Sequence, residues 1–255
     1  MTALLPVIDA ASTLFVQERY RDAIPLLRRI LTADPHNLDA ALRLATSHSM
    51  LRQDAQALEA FKKAAAIGPK SDDARLYLAL HYARGKDWQQ AIATLERVVR
   101  EQPQRLAALE GLAGVREKQG RLPEAVRLRE RVYSLRPASG VELAELGALA
   151  MAAGETNAAI EAFAKARDTQ GATFAHDLEL GVLYLAARRL PEARDALDRI
   201  PPRHPDYPMA LFKRAQVSVL LKEPNAAERI ALARRHADGV TRPLIAQERL
   251  FVGVK

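Results

Sequence analysis

The side chains best suited to metal ligation or proton transfer in this sequence are six histidines: His36, His48, His81, His176, His204 and His236. A helical zinc site needs two histidines one turn apart, as in H-E-x-x-H, because residues i and i+4 project from the same helix face. No such pair occurs. His36 and His204 stand next to prolines, and His48 and His81 fall in different columns of the pattern described below. Cysteine is absent, which excludes disulfides and thiolate metal sites. Glu110, Glu117, Glu145 and Glu179 lie in helical stretches, and paired carboxylates are the usual acid and base of hydrolytic chemistry. No nucleophile elbow, glycine-rich dinucleotide loop or phosphate-binding loop accompanies them. Arg84-Gly85-Lys86 is only a turn, because the upstream glycine of the phosphate-binding pattern is missing. The expectation is a non-enzyme with no catalytic residues, no metal and no cofactor.

Charge offers a second kind of chemistry. The formal net charge is +7, and 29 of the 38 cationic side chains are arginine. Arg127, Arg129, Arg131 and Arg136 crowd one stretch, with Arg116 and Arg121 just before it. Such a cluster suits phosphate recognition. Glu124 and Glu130 interleave with it, however, and no aromatic platform is present, so the cluster reads as a solvated helix face and nucleic acid as an unlikely partner. No apolar run reaches the roughly 18 residues of a membrane span. The opening MTALLPVIDAA has no basic segment and is broken by Pro6, unlike a secretory leader. A cytoplasmic location follows if the chain is complete, and a periplasmic one if a leader has been removed.

What would position these residues is a repeat. Pro35, Pro69, Pro103 and Pro137 are spaced by 34, and Pro205 lies two spacings further on. Gly171 fills the skipped slot and Gly239 the one after Pro205. In the same register stand Ala23, Ala57, Ala91, Ala125, Ala159, Ala193 and Ala227. A third column is always small, from Ala11, Ala45, Ala79 and Ala113 to Gly147, Gly181 and Ala215. A fourth is mostly leucine, with Ala10 and Arg214 as its end members, and a fifth is mostly bulky, including Leu27, Phe61, Leu95 and Phe163. Small residues fit where two helices cross closely, and bulky ones fill the space beside the crossing. Proline closes each period because it cannot extend a helix. Gly120 and Gly154 suit a turn that needs positive φ. Ser71-Asp72-Asp73 offers N-cap chemistry for the helix that follows.

These columns resemble the tetratricopeptide repeat, over nearly the whole chain. The resemblance implies an all-α, right-handed superhelical solenoid of seven helix-turn-helix units, at 4–37, 38–71, 72–105, 106–139, 140–173, 174–207 and 208–241. Residues 242–255 then form a capping helix or a truncated eighth unit. Atypical side chains in the last unit, Arg214 among them, fit an end that meets water. The implied function is a protein-interaction scaffold holding a peptide or helical segment in its concave groove. The alternative is the repeat portion of a larger multidomain enzyme or regulator.

In this family the first helix of each unit lines the groove. Carrying over its positions selects Arg43, Thr46, Ser49 and Met50 from the second unit, then Tyr77, Leu80 and Arg84. Glu110, Glu117 and Lys118 follow, then Glu145 and Met151, then Leu178, Glu179 and Leu185, and finally Phe212, Lys213 and Gln216. The lysine/asparagine clamp that some members use on a chaperone carboxylate is missing, since its slots hold Leu42, Thr46, Tyr77, Ala107 and Gly111. Four glutamates in the later units, answered locally only by Lys118, imply a groove for a basic or amphipathic segment, with Leu178, Leu185 and Phe212 as apolar anchors.

Overall fold

A computed structural model describes residues 4–68, 71–170 and 176–254. Pro69 and Gly171 lie outside the described residues. Those described form fifteen α-helices and one short 3-10 helix, with no strand among them. Two compact bodies result, Met1–Leu135 and Arg136–Lys255.

The first body holds α1 (Leu5–Val16), α2 (Tyr20–Ala33), α3 (Leu38–Met50), α4 (Asp54–Ile67), α5 (Asp72–Arg84), α6 (Trp88–Glu101), α7 (Leu106–Lys118) and α8 (Leu122–Leu135). The second holds α9 (Gly140–Ala152), α10 (Thr156–Gln170), α11 (Asp177–Ala186), α12 (Leu190–Leu197), α13 (Tyr207–Leu221), α14 (Ala226–Arg235) and α15 (Thr241–Gln247). Odd-numbered helices up to α13 are the first, or A, helices of the sequence pattern, and even-numbered ones are the B helices.

The turn between A and B is built the same way each time. Its apex has positive φ at Glu18, Arg52, Lys86, Gly120, Gly154, Arg188 and Lys222, in steps of 34 residues. The next N–H reaches back five residues: Arg19 to Leu14, Gln53 to His48, and so on to Glu223 to Ser218. This closure satisfies carbonyls that the helix end would leave bare. Only two of the apices are glycine, so the backbone pattern is stricter than the glycine signal. Four helix starts are capped by a nearby side chain. The side chains of Asn37, Ser71 and Asp87 accept from the backbone three residues on, and Ser139 with Glu142 forms a capping box.

Six of the seven alanines spaced by 34, Ala23 to Ala193, are fully buried. The seventh departs from expectation. Ala227 is only half-buried, and Ala226 takes the inner position with Ile230 and Ala233. After Lys222, Pro224 and Asn225 delay the start of α14, which shifts its buried face back by one residue.

Arg214 corrects a second expectation. It does not face water; it is 4% exposed and its guanidinium is enclosed by carboxylates. Nε meets Asp198 at 3.0 Å and Nη1 meets Glu223 at 2.8 Å. Ser218 joins the same group. The charge is tolerated in a leucine column because two carboxylates compensate it. The tail, expected as a capping helix or a truncated eighth unit, is α-helical only in its first half. It forms α15 and then a 3-10 turn, Arg249–Phe251, separated by extended Glu248. Ile245 and Phe251 are buried with Leu211, Phe212 and Ile230, so the tail covers the last helix pair.

Candidate functional site

The A-helix face of the first body carries exposed apolar side chains at the positions selected from sequence. Met50 on α3 and Tyr77 and Leu80 on α5 are each more than 40% exposed. Tyr77 lies parallel to Phe61 of α4, ring centroids 6.4 Å apart, and His81 tilts over the same ring at 5.4 Å. Phe61 itself is buried, so it holds both rings in place from below. Leu80 reaches toward α7, where Gly111 leaves room for it. Burial, and then the neighbouring Arg84, lower the pKa of His81. Arg84 Nη2 approaches His81 Nδ1 at 3.1 Å, which assigns Nδ1 as the acceptor.

The charged candidates are mostly held in ion pairs. Arg43 pairs with Asp39 at 2.7 Å and lies over the Phe15 ring, and Arg84 pairs with Asp54 at 3.2 Å. Thr46 is half-buried between Arg43 and Met50 in the helix sequence. Glu110 is exposed. Glu117 pairs with Arg129 of α8 at 2.9 Å, so Lys118 is not its only local counterion. That partner was hidden in the sequence because Arg129 occupies a column that is mostly bulky and apolar elsewhere.

In the second body, Glu145 is exposed on α9 and Glu179 is half-buried on α11. Phe212 does not reach the surface. It is 3% exposed and meets the Phe251 ring edge-on at 6.0 Å, so it belongs to the core beneath the tail rather than to a binding face. Lys213 and Gln216, by contrast, line a recess of about 430 Å³ with Leu185 and Val182 of α11 and Leu250 of the tail. The Lys213 ammonium sits 4.9 Å from the Phe212 ring centroid. Val182, Gln216 and Leu250 are themselves spaced by 34. That spacing was available in the sequence and would have added Val182 and Leu250 to the list. Gln216 Nε2 donates to Glu248, which ties α13 to the tail beside the recess.

Among the described residues, no three histidine, aspartate or glutamate side chains converge as a metal site, and no helix is long and apolar enough to cross a membrane.

Residues 76–139 and 150–217 match tetratricopeptide-repeat family models, and residues 16–98 match the model described as anaphase-promoting complex, cyclosome, subunit 3. The chain is a tetratricopeptide-repeat protein. Among curated proteins, this tetratricopeptide-repeat chain is similar to cellulose synthase operon protein C of Pseudomonas fluorescens (strain SBW25), with 27% identity over 198 residues. The match takes in 73% of the chain but only 16% of that relative's length. Among solved structures, a MamA protein aligns at TM-score 0.58 and 22% identity, covering 66% of this chain and 91% of that one. A structure of Naa15/Naa10 bound to HypK-THB aligns at TM-score 0.70 and 16% identity, covering 92% of this chain and 37% of that one. Both likenesses are of fold.

Proposed function

We propose that this chain is a non-catalytic scaffold whose A-helix faces hold an amphipathic polypeptide segment. The observation that carries this reading is the exposed set Met50, Tyr77 and Leu80, presented on successive A helices of the first body, with Met151 exposed likewise on α9. Tyrosine fixed by stacking is a good anchor, because little side-chain entropy is lost when it is covered. Ion-paired Arg43 and Arg84 flank the apolar set and supply a polar rim. In the second body the recess beside Lys213 receives an apolar side chain of the same kind of segment, and Glu145 and Glu179, on α9 and α11, favour a cationic residue elsewhere along it.

That the chain matches 16% of a longer relative supports a further reading, in which this scaffold is the repeat portion of a larger protein. The two readings are compatible, since a repeat portion also works by holding a polypeptide.

The charge component is tested by double reversal, Glu145→Lys with Glu179→Lys. Selected peptides that bind the second body should lose affinity and salt dependence in the variant. Unchanged affinity and unchanged salt dependence would remove the two glutamates from the site.

A further inference from the structure

The first body has a recess set apart from the exposed A-helix side chains Met50, Tyr77 and Leu80. It measures about 500 Å³ and opens between α2 and α4, floored by α3. Its walls are Leu31, Leu44, Ala60 and Ile67, and Arg28 and Lys63 stand at its rim. Pockets of this size accept a drug-sized ligand or one or two large side chains.

The 34-residue register explains why the recess exists here. Ala41, at its floor, corresponds to Arg75 and Leu109 in the next two repeats. Arg75 is 5% exposed and its Nη2 meets Glu101 at 2.6 Å, where Glu101 is the counterpart of Ile67. Leu109 is fully buried. Ala60 corresponds to Thr94 and then Leu128, which packs into the neighbouring core. The counterparts of His48 are Tyr82 and Arg116, the latter buried and paired with Glu96 and Glu124. Long side chains therefore fill the Ala41 position in the next two repeats, and a leucine fills the Ala60 position in the second of them, whereas alanine leaves both open here.

Cations outnumber carboxylates at the rim. Arg28 and Lys63 are both exposed. The rim carboxylate, Glu59, is paired with Lys62 at 3.4 Å. An apolar pit under a cationic rim selects a ligand that is apolar at its tip and anionic around it.

We infer that the α2–α4 recess binds an acidic peptide segment that inserts one large apolar side chain between Leu31, Leu44 and Ile67 and sets its carboxylates against Arg28 and Lys63. The site is separate from Met50, Tyr77 and Leu80, so this inference does not rest on the proposed function.

The test uses fluorescence anisotropy of labelled twelve-residue peptides with a central Trp, Phe or Leu, flanked by Asp/Glu, by Lys/Arg or by Ser. Three proteins are compared: the whole chain, Ala60→Leu, which restores the filling seen at Leu128, and Arg28→Glu with Lys63→Glu. Circular dichroism establishes that each variant is folded. The acidic peptides should bind at least tenfold more tightly than the basic ones, and each variant should weaken them at least tenfold. Tyr77→Ser with Leu80→Ser, outside the recess, should leave them unchanged. Equal binding of acidic and basic peptides, or acidic binding that survives Ala60→Leu, would overturn the inference. So would binding of decanoate that Ala60→Leu abolishes while no acidic peptide binds, since the site would then belong to a small hydrophobic anion.

Discussion

Gly147 of α9 faces the ring of Phe163 of α10 so closely that a Cβ at position 147 would lie 2.8 Å from two ring atoms. The same relation joins Gly181 to Leu197, at 2.6 Å. Where the small column meets a bulky residue at this distance, alanine is no longer small enough. Gly147→Ala should therefore destabilise the chain by about 1–3 kcal/mol, despite the better helix propensity of alanine. Gly114, also helical, has nothing within 4 Å of its notional Cβ. Gly114→Ala should stabilise by up to about 1 kcal/mol. Chemical denaturation of both variants checks this, and equal signs would contradict it.

The buried alanine column makes a related prediction that separates its members. Ala91 is fully buried, so Ala91→Leu overpacks a helix crossing and should cost about 1–3 kcal/mol. Ala227 is displaced from that position, and Ala227→Leu should change stability by no more than about 0.5 kcal/mol. Comparable losses in the two variants would show that α14 keeps the register of the other B helices.

The left-handed apices can be probed through glycine. Gly120 has φ +74° and no close neighbour, so Gly120→Ala adds backbone strain without a clash and should lower stability by about 1 kcal/mol. Arg52, at φ 58°, already bears that strain. Arg52→Gly should be neutral or stabilising when the midpoints of unfolding are compared.

Acid sensitivity follows from two glutamates. The Arg136 guanidinium, and then Ser139, hold the Glu142 carboxyl down to about 2 from its ordinary 4.5. Arg75, and then Arg97, do the same for Glu101. Both pKa values are lower in the folded chain than in the unfolded one, so the folded state binds fewer protons. The resulting stabilisation is complete above pH 4.5 and is lost as pH falls through about 2. Glu142→Gln should flatten the stability profile between these limits and leave its slope near neutrality unchanged. A profile parallel to that of the unaltered chain would show that the pairing with Arg136 does not persist in solution.

The repeat itself was legible because packing recurs with a fixed period. Small, leucine and proline columns survive as residue types, and the turn backbone obeys the same step even where arginine or lysine replaces glycine. What escaped was compensation between different columns. Arg214 looked like a solvent-facing substitution because Asp198 and Glu223, which allow its burial, lie 16 residues before and 9 residues after it. Arg129 concealed the partner of Glu117 in the same way. Phe212 occupied a groove position by register and was covered by Phe251, 39 residues on, which no local pattern signals. The α2–α4 recess depends on short side chains at Ala41 and Ala60, whose meaning emerges only beside the long ones at Arg75 and Leu128.

The central claim, that the A-helix face is the polypeptide-binding surface, is tested by selecting peptides from a displayed library against the whole chain. Affinities of the selected peptides are then measured by calorimetry for the unaltered chain, for Tyr77→Ser with Leu80→Ser, and for Arg28→Glu with Lys63→Glu. The account predicts a class of amphipathic peptides that lose at least tenfold in affinity with the first variant and are unaffected by the second. If every selected peptide binds the Tyr77→Ser, Leu80→Ser chain as tightly as the unaltered one, the A-helix face is not the binding surface.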